Sequence, residues 1–377
     1  MYSRLLNLQD MIKKRSILLF GPRAVGKSTL LQHLFPEARM YDLLDNSTFT
    51  RLLRRPSLIE EENSAGDIII IDEIQKLPML LDEVHRLIQR RGQKCILTGS
   101  SARKLKRGSA NLLAGRARWV SLFPLVSQEI PDFHLETYLS TGGLPQMYGD
   151  PEAHLDLSSY VDLYIRQEIH AESLTRNVQG FAHLLDALGI MNGEELNYTS
   201  IASDTGLQAR TVINYIEILE DTLLAFRLPV YSRTQKRKAS SRPKLYFFDI
   251  GVVHALRRSF SSSTAPEVFG KFFEHFILLE VRAYLSYSLR DDPVTFWRST
   301  SGYEVDVVVG DHTALEIKAS FLVSDKHMKG LRALKEEVSL ARAIVVSRDT
   351  EYRRTADEIE VMPWKKFLQE LWNNQIL

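Results

Sequence analysis

Apolar and polar positions follow two rhythms along this chain. Short continuous apolar runs, Ile17–Phe20, Ile68–Ile71 and Cys95–Leu97, predict strands buried on both faces. Arg39–Leu44 and Trp119–Leu125 read as two further strands of the same sheet. Between them, residues 47–63 and 78–91 place apolar side chains at helical spacing, and a helix is expected to end in Leu112–Arg118. Strands alternating with helices predict a parallel α/β sheet. Residues 128–175 carry helical patterns broken at Gly142-Gly143-Leu144-Pro145 and Gly149-Asp150-Pro151, with Tyr160–His170 amphipathic. Phe181–Met191, Tyr198–Asp204 and Gln208–Glu220 predict three short helices, followed by strands Leu224–Tyr231 and Lys244–Phe248. Downstream come a short helix from Asp249, a serine-rich loop Ser259–Thr264 expected to be mobile, and a long helix from Gly270 to Ser288. Strands Val294–Arg298, Tyr303–Val309, Ala314–Lys318 and Ala343–Ser347 follow, with helices over 324–337 and Trp364–Trp372.

Composition narrows the class. At 377 residues the chain exceeds one ordinary core, so two or three domains are expected. Apolar content of 44% and charged content of 25% are those of a soluble globular protein. The lone Cys95 excludes a disulfide framework, and its apolar surroundings predict an inert core position in a reducing compartment. No run approaches the ~18 apolar residues of a membrane span, and no signal-peptide core follows Met1. A cytoplasmic location is expected. With a net charge of +1, any nucleic-acid surface has to be local. Zinc spacing, a nucleophile elbow and a dinucleotide fingerprint are all missing, and His85, His183 and His254 fall where packing or surface roles are expected.

The first predicted strand runs into Gly21-Pro22-Arg23-Ala24-Val25-Gly26-Lys27-Ser28-Thr29, which fits G-x-x-x-x-G-K-[ST]. Such a loop curls its N–H groups around phosphates at a helix N-terminus. Gly21 and Gly26 are expected to supply the backbone freedom, Lys27 a charge on the β- and γ-phosphates, and Ser28 a hydroxyl to Mg²⁺. ATP and Mg²⁺ are the cofactors this implies. The third strand ends in Asp72-Glu73, at the carboxyl edge where α/β sheets bind ligands. Asp72 is expected to hold the Mg²⁺, and Glu73 to polarise the water that attacks the γ-phosphate. Ser100, with Thr98 as the alternative, stands at the tip of the next strand, where it could orient that water or sense the γ-phosphate. Arg116 precedes the last sheet strand, where ring-forming ATPases present an arginine to a neighbouring subunit.

Two helices joined by the Thr205-Gly206-Leu207 turn have the helix-turn-helix pattern. The second would be the recognition helix, offering Gln208, Arg210, Thr211 and Asn214 to DNA. Residues 232–244 hold six basic side chains and no acid, so Lys236, Arg237 and Lys238 are expected to meet phosphates. The competing reading is a solvated loop beside a domain used only for packing. Farther on, Glu316 and Lys318 lie two apart on one strand and therefore share a face, and an antiparallel neighbour can bring Asp306 alongside. Two carboxylates there could hold a second Mg²⁺ while Lys318 activates water. A buried charge network is the alternative.

Gly-Pro-Arg-Ala-Val-Gly-Lys-Ser at 21–28, Ile-Asp-Glu-Ile-Gln-Lys at 71–76, Leu-Thr-Gly-Ser-Ser at 97–101, Gly115-Arg116 and Gly142-Gly-Leu-Pro145 together resemble AAA+ ATPases with a C-terminal DUF4143 region. The order of the motifs and the Gly-Gly-Leu-Pro carry the likeness, which extends over essentially the whole chain. The acid–lysine strands resemble the PD-(D/E)xK nuclease fold, and that likeness implies Glu274 as an additional acid. The resemblance implies an α/β fold in four parts: a P-loop AAA+ core (1–127), a helical lid (128–178), a winged helix (179–248) and a PD-(D/E)xK nuclease-like domain (249–377). With the helix-turn-helix and basic segment added, the leading expectation is a homo-oligomer, expected to be a hexamer, that hydrolyses ATP and acts on DNA. Two alternatives stand beside it: an ATP-gated, Mg²⁺-dependent DNA nuclease, and a nucleotide switch that binds a protein partner without DNA.

Overall fold

In the computed structural model, five parallel strands form the sheet that carries the phosphate loop. Residues 2–101, 113, 115–165, 178–234, 237–260 and 265–377 are described. The segment expected to form a helix before Arg116, part of Tyr160–His170, Lys236 and most of Ser259–Thr264 lie outside them. The chain divides into two compact units: Met1–Leu125 with Ile218–Leu224, and Val126–Glu217 with Ala225–Leu377.

In the first unit, helix α1 (Leu8–Lys14) leads into β1 (Ser16–Phe20), α2 (Lys27–Leu34), β2 (Arg39–Asp42), α3 (Asn46–Arg54), β3 (Ile68–Asp72), α4 (Leu80–Arg91), β4 (Lys94–Gly99) and β5 (Ala117–Ser121). The sheet order is β2-β3-β4-β1-β5, all parallel, so β1 and β4 lie side by side. Ile69–Ile71 and Ile96–Leu97 are fully buried, as their unbroken apolar runs require. Where one helix was expected over 47–63, α3 stops at Arg54 and only a turn, Leu58–Glu61, follows. Pro56 accounts for the break, since it has no N–H and disfavours helix in the residue before it. Cys95 is buried in the core, and burial pushes its thiol up to about 12.

In the second unit, α5 (Leu135–Thr141), α6 (Ala153–Ser159), α7 (Val178–Ile190), α8 (Tyr198–Thr205) and α9 (Ala209–Asp221, counted here only to Glu217) precede an antiparallel ribbon of β6 (Ala225–Leu228) and β7 (Lys244–Phe247). Helix α10 (Ile250–Arg257) and the long α11 (Pro266–Tyr287) follow. Next come β8 (Val294–Arg298), β9 (Glu304–Val309), β10 (Thr313–Lys318), α12 (Lys329–Lys335), β11 (Arg342–Ser347), β12 (Arg353–Arg354), β13 (Ile359–Pro363) and α13 (Trp364–Trp372). These strands form a mixed six-stranded sheet in the order β12-β13-β11-β10-β9-β8. The helical and C-terminal parts, read from sequence as separate domains, share this unit.

The Gly-Gly-Leu-Pro stretch has a packing role. Asp249 is fully buried, caps α10 by accepting from Val252 N, and accepts from Gly143 N at 2.7 Å. A Cβ on Gly142 would overlap that carboxylate, and one on Gly251 would strike the Thr141 carbonyl. Both glycines are required by close approach.

Candidate functional site

The phosphate loop follows β1 directly and opens α2. Its left-handed positions are Ala24 (φ 64°) and Gly26 (φ 92°). Gly21 is needed for a different reason than the dihedral freedom expected: a Cβ there would stand 2.5 Å from the Leu122 carbonyl oxygen. Arg4 braces the loop from behind, donating to Val25 O at 2.9 Å and to Phe123 O. Lys27 is buried, and its ammonium donates to the Gly21 and Pro22 carbonyls at 2.7 and 3.0 Å. Thr29 faces solvent, and Ser28 and Arg23 are partly exposed.

Ser28 and Asp72 meet although 44 residues separate them. Ser28 Oγ donates to Asp72 Oδ2 at 2.5 Å, and Thr98 donates to the other carboxylate oxygen. Glu73 sits in the left-handed region (φ 58°, ψ 46°), and its N–H donates to Thr98 Oγ1 at 3.2 Å. Gln75 and Ser100 both donate to Glu73 Oε2, the latter at 3.2 Å, and Gln75 also donates to Ser100 Oγ at 3.1 Å. Asp72, Glu73, Gln75, Thr98 and Ser100 are all buried, and every hydrogen-bonding partner of the two acids named here is neutral. Thr98 and Ser100 thus divide the strand tip between them, one on each acid. Gln75 escaped the sequence reading; its signal was the Asp-Glu-x-Gln spacing, which brings the amide back onto Glu73 through the turn Ile74–Lys76. Arg116 occupies the turn just before β5, partly exposed.

Ser28 and Asp72 fit a hydrated Mg²⁺, which needs only one or two protein oxygens when phosphates supply the rest. Their oxygens already converge, with no cation of the protein between them.

The second acidic group lies on the C-terminal sheet. The register of β9 with β10 pairs Leu315 with Val307, and its continuation sets Asp306 across from Glu316. Asp306 Oδ2 accepts from Ile317 N at 2.7 Å and lies 3.3 Å from Lys318 Nζ, which is 2.7 Å from Glu316 Oε1. Glu274, on α11, accepts from Tyr246 OH at 2.5 Å and from Lys244 Nζ at 3.3 Å. Lys244 Nζ also lies 2.7 Å from Glu304 Oε1. The four expected residues are therefore brought together, with Lys244, Tyr246 and Glu304 added to them. Burial pushes Glu316 well above the usual carboxylate range, reinforced by Asp306 and opposed by Lys318; Glu274 is raised by burial too. Burial would lower both lysines, but the adjoining acids, Glu274 at Lys244 and Asp306 at Lys318 foremost, hold them above the ordinary value. Among the described residues, no group of three or more His, Cys, Asp or Glu is placed to hold a metal ion. Lysine ammoniums fill the positions between these carboxylates, so the residues do not fit the second Mg²⁺ expected from the spacing.

The helix-turn-helix candidates take varied positions. Gln208, just before α9, and Arg210 and Asn214 on its first half are exposed, and Thr211 is partly buried. The basic segment differs from its reading as a phosphate-facing loop. It is stitched along the edge strand β8: Tyr231 N donates to Phe296 O, Ser240 N to Arg298 O, and Thr300 N to Lys238 O, at 2.7–2.9 Å. An exposed sheet edge needs such a cover. Arg237 pairs with Glu336 at 2.6 Å and Glu337 at 2.9 Å, and its guanidinium stacks over Tyr303. Arg233 pairs with Asp311. Arg237 is thus held inside the unit by acids about a hundred residues away, while Lys238 and Arg242 remain exposed.

A parallel sheet that carries a phosphate loop, with an acidic pair at the end of the third strand, defines a P-loop nucleotide-binding domain. Family models place it: an AAA domain matches residues 13–131 and DUF4143, a domain of unknown function, matches residues 269–367. The chain thus carries an AAA domain followed by a C-terminal DUF4143 region. A further domain of unknown function, DUF8612, matches residues 132–263, taking in both the helical segment and the three-helix segment. Uncharacterized protein MJ1637 of Methanocaldococcus jannaschii is 23% identical over 94% of this chain and 85% of its own length. Uncharacterized protein MJ1544 of the same organism is 24% identical over 64% of this chain and 58% of its own. Among solved structures, Aeropyrum pernix ORC1 in complex with DNA is 13% identical, covering 68% of this chain and 93% of its own, with a TM-score of 0.29. The Thermotoga maritima RuvB Holliday junction branch migration motor is 16% identical, covering 60% of this chain and 86% of its own, with a TM-score of 0.32. Among the described residues, no helix is long and apolar enough to cross a membrane.

Proposed function

We propose that this protein binds and hydrolyses ATP at the phosphate loop and uses the cycle to act on DNA as a homo-oligomer, with a hexamer as the expected assembly. The observation that carries the reading is the 2.5 Å contact between Ser28 and Asp72, beside a Glu73 fixed by neutral donors. Lys27 leaves its two carbonyl acceptors to meet the β- and γ-phosphates. Mg²⁺, when bound, neutralises phosphate charge. Ser28 and Asp72 hold the hydrated ion, and Glu73 accepts a hydrogen bond from the attacking water. Gln75 and Ser100 keep the Glu73 carboxylate aimed, and Thr98 does the same for Asp72. Arg116 stabilises transition-state charge in a neighbouring protomer's site. The exposed Gln208, Arg210 and Asn214, with Thr211 beside them, present polar groups suited to a DNA groove, and Lys236 and Lys238 suit its phosphates.

The test is the ATP turnover rate with and without single-stranded, duplex and branched DNA, alongside sizing with and without ATP. Turnover lost in Lys27→Ala and stimulated by DNA in the wild type is the expected result. Turnover without DNA binding at low salt would leave the nucleotide switch as the reading. The geometry of the acid–lysine cluster favours a binding platform over a cleaving centre in the C-terminal sheet.

A further inference from the structure

We infer that Lys244 is the built-in counter-cation of the acidic cluster on the C-terminal sheet, standing where a divalent metal ion would otherwise neutralise Glu274 and Glu304. Lys244 belongs to the β6–β7 ribbon, outside the sheet that carries Asp306, Glu316 and Lys318. It nevertheless reaches into the cluster with only 6% of its side chain exposed. Its ammonium touches an acid from α11 (Glu274, 3.3 Å) and one from β9 (Glu304, 2.7 Å), and lies 5.1 Å from the centre of the Phe296 ring. A single donor bridging carboxylates from two elements does the geometric work of a coordinated ion. Lys318 performs the same service between Asp306 and Glu316.

The cluster keeps the chemistry of a cation site all the same. Four carboxylates face two ammoniums, and the Arg298 guanidinium reaches only the outer side of Glu304, at 3.7 Å. Glu316 is 7% exposed, and its Oε2 is a buried oxygen with no hydrogen-bond partner. That orphaned oxygen is an acceptor waiting for a positive charge or a donor. A hard cation with oxygen ligands is the class of ligand that takes such an oxygen.

The experiment counts Mn²⁺ bound per chain by electron paramagnetic resonance, on the full-length, nucleotide-free protein, for wild type, Asp306→Asn, Lys244→Met and the double variant. Without nucleotide the count does not depend on ATP hydrolysis, so it can fail while the proposed ATPase function stands, and the reverse. Lys244→Met is expected to gain one Mn²⁺ per chain, and Asp306→Asn to remove that gain. The wild type and Asp306→Asn should give the same count. A wild-type ion lost on Asp306→Asn would overturn the inference, as would a folded Lys244→Met that gains none or a gain that survives Asp306→Asn. If Lys244→Met does not fold, the wild-type and Asp306→Asn pair still decides: equal counts support the inference and a lower count in Asp306→Asn overturns it.

Discussion

Each unit of this chain carries one acidic group on its sheet, and the two are held in opposite ways. The carboxylates of Asp72 and Glu73 accept from three hydroxyls and an amide, all neutral donors. Asp306, Glu316, Glu274 and Glu304 are bridged by lysines. Neutral donors fix the direction of a carboxylate and leave its charge for a cation from outside. An ammonium cancels that charge and closes the position. The same residue type is therefore prepared for a ligand at the strand end of one unit and self-contained in the other.

The comparison breaks most sharply under charge removal. Asp72→Asn and Glu73→Gln should each lower ATP turnover by about 10²–10³-fold, measured with coupled phosphate release, while the urea midpoint stays near wild type. Lys244→Met should do the reverse. It leaves two acids facing each other inside the protein and should cost about 3 kcal/mol in urea unfolding of the second unit, with turnover per folded chain unchanged. Equal effects at both sites would dissolve the distinction.

Acid should also separate the units. His275 is fully buried, its Nε2 donating to Phe247 O at 2.8 Å and its Nδ1 facing Asn192 at 3.3 Å. Burial holds this imidazole down to about 3, against an ordinary 6.5. Above pH 6.5 it is neutral whether folded or unfolded, and its contribution is complete. As pH falls from 6.5 toward 3, the unfolded chain takes up a proton that the folded chain refuses, and stability on the order of 4 kcal/mol is lost. Glu280 and Asp249 of the same unit, which burial holds up to about 7 and about 6, pull the other way as pH falls. The slope should therefore appear as the difference between wild type and His275→Asn in unfolding from pH 7 to 4. The smallest contrast concerns the basic segment. Lys238→Ala should reduce the salt dependence of DNA binding by about one ion, whereas Arg237→Ala should leave it alone and lower the urea midpoint of the second unit slightly.

What could be read in advance follows from the range of each interaction. The phosphate loop, the isoleucine strand and the acidic pair are local patterns, and the sheet places them side by side. Glu316 and Lys318 share a face because a strand alternates, and one antiparallel neighbour brings Asp306 across. Arg237 shows where this stops: a segment with six bases and no acid looks like a phosphate binder until Glu336 and Glu337 arrive from the far side of the sheet. Lys244 was hidden for the same reason, since its partners lie 30 and 60 residues away on other elements. The strand Ile359–Pro363 was passed over although Ile359, Val361 and Pro363 alternate with Glu360 and Met362, because both its faces are covered and the polar half of the alternation is blurred.

The joint between Gly143 and Asp249 bears on how this protein can be cut. A fragment that begins after residue 143 would carry Asp249 in its interior without the Gly143 N–H that it accepts from. A graft that brought in any larger residue at 142 would wedge the same spot. Boundaries for expression, and crossovers between relatives, have to keep residues 141–143 and 249–251 from one parent. A break between 263 and 269, where two family matches abut, leaves that pair intact.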